Sequence, residues 1–244
     1  INPANSLNSG NTTGWFGNSI TGTIYTDEGV TNIGIGKGVA LLVNGVSTQT
    51  TVTDAIGQYA FGVSPSLNVG DIITVYLDGE SQDGATVTRS NATNISGLNV
   101  YVDHTIVRNE DGTALSLANM NTANNGDSDL TNLYTDGATP VFAAAKELYV
   151  WTGKTFTPGG ALDVDGSIEV ASTATLNVST FAVNVAQNFI NGGTFTHTGI
   201  ITFDGTTQVF NPGSSAVGND VIISGTSTTK LATNALNIGA NDLT

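Results

Sequence analysis

From Ile20 to Val102 apolar and polar residues alternate in short bursts: ITGTIYTD, GVALLVNG, QTTVTD, GQYAFGV, DIITVYLDG, ATVTRS and GLNVYV. Glycine, asparagine, aspartate or serine separates one burst from the next. A period of two is that of a strand with one buried and one solvated face, and this many short strands at such spacing predict a β-sandwich over residues 19–103.

Beyond residue 104 the pattern changes and begins to repeat. Leu148 and Val150 recur as Ile168 and Val170; Phe156 recurs as Leu176; Phe189 as Val209; Ile201 as Val221; and Val183, Phe203 and Ile223 follow one another at the same interval of 20 residues. Leu162 with Val164 maps onto Val183 within one residue. Each interval holds about three short strands joined by turns such as TPGG, DVDG and NPGS. A unit this small cannot bury its apolar face alone, whereas stacked units form a continuous inner column, which predicts a β-solenoid (parallel β-helix) over 148–244. In GGTFTHTGIITFDGTTQ, Phe195, Ile201 and Phe203 are expected inside, Thr196, Thr202 and Thr206 outside, and the glycines at corners. A second sandwich is the competing arrangement, which the fixed offset disfavours.

Residues 104–147 keep the period poorly and are expected to form irregular first coils or a cap. Residues 1–18 read as an arm whose only large apolar groups are Ile1, Leu7, Trp15 and Phe16. Such an arm is either a disordered terminus or a strand that adds itself to an open sheet edge. Residues 231–244 still read as a repeat strand, with Leu236 and Ile238, and stop without a polar cap, so either the chain continues or another subunit covers the end. A head-to-tail contact between copies that does not close generates a filament.

Composition narrows the setting. Charged residues make up 11 % of the chain, with 20 acidic and 6 basic residues and a net charge of -14. That field repels nucleic-acid phosphates and anionic lipid, so neither is an expected partner. No cysteine is present, which removes thiolate catalysis and cysteine-ligated metals. No apolar run is long enough for a membrane-spanning helix, and a start on INPANSLNSG predicts a processed, secreted, cell-surface product.

Residues 53–61, TDAIGQYAF, resemble the TDxxGxYxF signature of bacterial surface Ig-like folds, the prealbumin-like or carboxypeptidase-regulatory-like modules. The resemblance covers about 80 residues. It implies that the Asp54–Gly57 turn reverses the chain and sends Tyr59 and Phe61 into the core. Some relatives close a Lys–Asn isopeptide bond, for which Lys37 is the one lysine here, although no matching Asn and acid motif accompanies it. The second half resembles the repeats of large bacterial surface proteins, through "GTFT…G…TFDGTTQ" units after the lead-in KELYVWTGKTFTPGG at 146–160. That likeness implies a bacterial or archaeal envelope or secreted setting and no reaction.

Candidate chemistry is sparse. His104 and His197 are the only imidazoles, no GxSxG elbow accompanies them, and His197 is expected to be a surface or stacked side chain. Solenoid lyases and glycosidases use cations beside their acids, yet residues 148–244 offer only Lys154 and Lys230. Calcium fits better, because hard cations take carboxylate and carbonyl oxygens on Gly-rich turns. Glu110 with Asp111, Asp127 with Asp129, and Asp163 with Asp165 are such turns, as is Asp27 with Glu28; acidic turns are also commonly just solvated. Threonine ladders at 155–157, 173–175 and 194–198 match ice- or glycan-binding arrays and equally match plain solenoid exteriors. The expectation is a non-enzymatic, self-assembling extracellular subunit. A carbohydrate-binding adhesin, marked by Trp15, Tyr149 and Trp151, and a polysaccharide-degrading enzyme are the alternatives.

Overall fold

A computed structural model of the chain describes residues 17–137, 139–214, 220–224 and 229–232, the last four by backbone alone. The first half contributes β1 (Ser19–Tyr25), β2 (Gly38–Val43), β3 (Val46–Val52), β4 (Gln58–Gly62), β5 (Val69–Leu77), β6 (Ala85–Asn91), β7 (Val100–Tyr101) and β8 (His104–Val107). Strands β4, β1 and β7 form a three-stranded sheet, with β1 antiparallel to β4 and parallel to β7. This layer covers one face of the antiparallel run β3-β2-β5-β6, and Ile20, Ile24, Leu41, Tyr59, Phe61, Ile73 and Val75 form the core between them. The Asp54 carboxylate accepts the backbone N–H groups of Ile56 and Gln58, and Gly57 at φ 74° completes the turn. That reversal delivers Tyr59 and Phe61 to the core, as the TDAIGQYAF pattern predicts.

Two short helices follow, α1 (Leu117–Ala123) and α2 (Ser128–Thr131), and then β9 (Val141–Phe142), β10 (Glu147–Val150), β11 (Thr155–Phe156), β12 (Leu162–Val164), β13 (Ser167–Val170), β14 (Thr175–Ser179), β15 (Val183–Val185), β16 (Phe189–Asn191), β17 (Thr194–His197), β18 (Ile201–Phe203), β19 (Thr207–Asn211), β20 (Val221–Ile223) and β21 (Thr229–Ala232). These strands wind through three walls of parallel rungs: β8-β10-β13-β16-β19-β21, β11-β14-β17 and β9-β12-β15-β18-β20. The result is a β-solenoid of about 7 turns and about 20 residues per coil.

The offsets between stacked residues are uneven, because the corners absorb insertions while the strands keep their inward face. Leu148 stacks on Ile168 and Ile201 on Val221, 20 residues apart, as the repeat predicts. Val183 instead pairs with Ile201, leaving Phe203 to Val185, and Phe189 pairs with Phe210 rather than Val209. Phe195, Ile201 and Phe203 are buried, while Thr196 and Thr206 are exposed and Thr202 is half-buried.

The two halves are not joined by a linker. Strand β8 pairs in parallel with β6 on one side and with β10 on the other. One ten-stranded sheet therefore runs from β3 to β21, with residue 104 inside it rather than at its border. Strands β2 and β5 lie in the middle of two cores. Their Leu41, Ile73 and Val75 face the three-stranded layer, and Ala40, Leu42 and Tyr76 face the core that the solenoid and helices share. This explains the near-continuous apolar runs GVALLV and IITVYL, since strands buried on both faces lose their alternation.

The second face is covered by α1, whose Leu117, Met120 and Ala123 are buried. Ser116 caps it in a reciprocal box with Asn119, and the Thr74 hydroxyl donates to the Ala123 carbonyl. A seven-residue helix is far below the length that is stable alone, so packing on the sheet, at roughly 1.5–3 kcal/mol per large side chain buried, must hold it.

At the corners the stacked backbones nearly touch. A Cβ on Gly166 would sit 1.9 Å from the Lys146 carbonyl oxygen, and one on Gly205 would sit 1.6 Å from that of Ala186. Both contacts are with backbone, which cannot step aside as a side chain can. Replacing either glycine by alanine is expected to destabilise the protein by about 1–3 kcal/mol through forced backbone displacement. Urea unfolding of Gly166→Ala and Gly205→Ala, with Gly62→Ala as a comparison at a position with no close atom and no positive φ, measures this.

Candidate functional site

Where β8 and β10 leave the two-layered first half, the outer face of the shared sheet carries His104, Arg108, Glu147, Tyr149 and Trp151, with Glu169 one rung further. Leu148 and Val150 between them point into the solenoid core, so alternation along β10 alone directs the other three outward. The edge of the three-stranded layer overhangs this face with Tyr25 and Tyr101, and the loop after β1 brings in Glu28. Tyr101 is the hub: its ring lies 5.9 Å from Tyr25, 5.7 Å from His104, 5.7 Å from Tyr149 and 5.7 Å from Trp151. The Arg108 guanidinium stands 5.1 Å over the Trp151 ring, a cation–π contact.

Carboxylates ring these aromatics. His104 and Glu147 are register partners, with Nε2 3.7 Å from Oε1, and Glu28 completes a group whose ligand atoms lie within 4.8 Å of one another. The His104 Nδ1 sits 2.6 Å from the Val102 carbonyl oxygen. Burial first, and then the neighbouring charges of Glu169 and Glu28, pushes the Glu147 carboxyl up to about 8. Burial and Glu28 also raise the Glu169 carboxyl. Among the residues singled out from sequence, His104, Tyr149, Trp151 and Glu28 meet here. Glu147, Glu169, Tyr101 and Tyr25 were not singled out, because the pairing of β8 with β10 is what makes them neighbours.

The remaining acidic turns divide into three environments. Glu110 is held by Arg108 at 2.7 Å and Lys154 at 2.7 Å, and Asp111 by Arg89 at 3.0 Å. These two carboxylates, expected as calcium ligands, are therefore neutralised by the chain's own cations and lie in separate ion pairs. Asp127 and Asp129 come together with Asp78, which sequence spacing does not reveal, on the turn after β5. Asp127 caps α2 and accepts from the Tyr76 hydroxyl at 3.3 Å, while Asp129 accepts from the Gly79 N–H at 2.6 Å. Burial, with help from Asp127 and Asp129, raises the Asp78 carboxyl. Asp163 lies in β12, paired with Asn184, and Asp165 on the turn that follows; burial raises the Asp163 carboxyl, and Asp165 and Asp204 add to the shift.

The cations are as fully committed as Glu110. Lys37 pairs with Glu80 at 3.0 Å, not with an asparagine, and Lys146 bridges Asp83 at 2.7 Å and Asp103 at 2.6 Å. Each of the five basic residues with a described side chain thus has a carboxylate partner. Ile1, Leu7, Trp15, Phe16, Leu236 and Ile238 lie outside the described residues.

Thr155, Thr175 and Thr194 stack in register as a column on the middle wall. Below them His197 turns inward and lies parallel to the Phe195 ring at 5.3 Å and 11°. It is the stacked alternative of the two expected, reached because a register shift between Asn177 and Ser179 accompanies its pairing. Neither ring nitrogen makes a hydrogen bond of good geometry, and burial holds the imidazole below its ordinary range, only partly opposed by the neighbouring carbonyls of Phe181 and Ile200.

Two outcomes follow from these environments. Glu110→Gln is expected to cost about 3 kcal/mol, because Arg108 and Lys154 lose their shared counter-charge in a half-buried site, as chemical unfolding reads directly. His197 favours its neutral form when folded, so its contribution is fully present above the unfolded value near 6.5 and declines as pH falls below it, by up to about 1.4 kcal/mol per pH unit. Melting temperatures between pH 5 and pH 7.5 should therefore fall less in His197→Phe than in the parent chain. Compared with known protein families, with curated proteins and with solved structures, the chain gives no match.

Proposed function

We propose that the protein is a non-enzymatic extracellular structural subunit that assembles head to tail, built from an Ig-like N-terminal module and a β-solenoid. The observation that carries this reading is the single ten-stranded sheet whose ladder runs lengthwise. Among the described residues its first strand, β3, pairs on one side only, and its last rung is β21. An unpaired strand edge is a template for another chain. On β3, Val46 and Val52 are 66 % and 62 % exposed, so apolar groups accompany the free backbone groups.

The Ig-like reading rests on the Asp54–Gly57 turn with Tyr59 and Phe61 beneath it and on the two packed layers. The non-enzymatic reading is supported by the pairing of each described cation with a carboxylate, which removes the free positive charge that an acidic glycan's chemistry needs. The sparse charge and hydroxyl-rich surface fit an exterior, secreted location.

Negative-stain electron microscopy of the purified protein, with and without calcium, tests the assembly. Regular filaments are expected from the intact chain, and their loss on deleting residues 1–18 or in Val46→Lys/Val52→Lys, with circular dichroism unchanged. Persistent monomers at high concentration would overturn the reading. The aromatic cluster around Tyr101 favours a second function, adhesion to a surface glycan across the half-buried rings of Tyr25 and Trp151. In that case Trp151→Ala abolishes signals on a glycan array while leaving filaments intact.

A further inference from the structure

We propose that Glu28, His104 and Glu147 form a binding site for a divalent first-row transition metal ion, with zinc as its representative, that ties the overhanging layer to the first two rungs of the solenoid. Three segments distant in sequence converge there: the loop after β1, the first residue of β8 and the first residue of β10.

The orientation of His104 carries the argument. Its Nδ1 faces the Val102 carbonyl oxygen, an acceptor, at 2.6 Å, so this nitrogen bears the proton. In the neutral imidazole the lone pair is then on Nε2. A carbonyl on the far nitrogen is the arrangement that orients metal-binding imidazoles and raises their basicity. The rings of Tyr101 and Tyr149, with centroids 5.7 Å and 6.1 Å away, hold the imidazole in place by edge contacts.

What Nε2 faces is a second acceptor. Glu147 Oε1 lies 3.7 Å away, beyond hydrogen-bond range, and both atoms are buried with no hydrogen-bond partner. Two buried acceptors that face each other cost free energy unless a proton or a metal ion lies between them, and a metal ion there would displace that proton. Lysine or arginine does not fill this role here, since each described one is engaged elsewhere. A tetrahedral ion with ligands at about 2.0–2.2 Å separates those ligands by roughly 3.4 Å, close to the spacing observed. Glu28 is exposed and sits on a loop, so it can close the remaining distance by rotating its side chain.

The donor set selects among cations. An imidazole nitrogen with two carboxylates suits zinc or a similar transition ion, whereas calcium takes oxygen ligands alone. The Asp78, Asp127 and Asp129 group is all oxygen and is the natural competitor for calcium, which makes the two sites chemically separable.

The experiment loads the full chain with zinc in the presence of excess calcium, which occupies oxygen-only sites, then removes free metal and counts bound zinc by mass spectrometry. One zinc per chain is expected. Glu28→Gln should weaken zinc binding about tenfold or more, and His104→Gln should abolish it. Because Glu28 is exposed, its variant folds even if the His104 variant does not. Zinc should also raise the melting temperature of the parent chain more than that of Glu28→Gln. Absence of bound zinc in the parent, equal zinc content in Glu28→Gln, or complete displacement of zinc by calcium would each overturn the proposal. Since the readout is metal content of single chains, failure here leaves filament formation untouched, and the reverse also holds.

Discussion

The backbone ladder through β6, β8 and β10 is the interaction on which the rest of the molecule depends. At β6 the sheet stops being an antiparallel element of a two-layer module and at β8 becomes a wall of parallel rungs. The core that the solenoid and helices share is built against it, through Ala85, Val87, Ile106, Val107, Leu148 and Val150, and the same sheet continues into β5 and β2, which carry the second core on their other face. The same ladder sets His104 beside Glu147 and extends the outer face of the solenoid beneath the overhang that carries Tyr101. Strand pairing thus gathers His104, Glu147, Tyr101 and Tyr149, and the loop after β1 adds Glu28 to them.

Electrostatics in this chain are economical. With so few cations, Arg89, Arg108, Lys146 and Lys154 are all spent on fastening the junction region, where Glu110 joins β8's continuation to the corner after β10. Acids without a lysine or arginine partner include those where the sheet's outer face meets the overhang, those on the turn after β5, and Asp163, Asp165 and Asp204. Excess negative charge is therefore unevenly compensated, and the uncompensated places are those that attract a cation.

Much of the fold was legible because strand periodicity is a backbone property. Stacked Leu148 and Ile168, or Phe156 and Leu176, announce themselves at a fixed interval, and TDAIGQYAF carries its turn in its own residues. The helices were not foreseen, although Ser116 followed by Leu117, Met120 and Ala123 has the cap and spacing of one short helix. Their absence from the reading also hid why GVALLV and IITVYL lack alternation. The candidate site was less legible still. Its residues come from β1's loop, β8 and β10, and only the three-dimensional pairing shows that Glu147 and Glu28 share His104. Register errors at Val183 and Phe189 have a simpler origin: a corner that gains or loses a residue shifts the count without disturbing the inward face.

The shared sheet also bears on how such a chain can diversify. A break between residues 103 and 104 would strip β6 of its neighbour and open the core that β2, β5 and β6 share with the solenoid, so the two halves do not separate cleanly as independent cassettes. The distal coils differ in kind, since each of their described strands pairs with the strand one coil earlier. Adding or removing a whole coil at that end would change the reach of the molecule without altering its base.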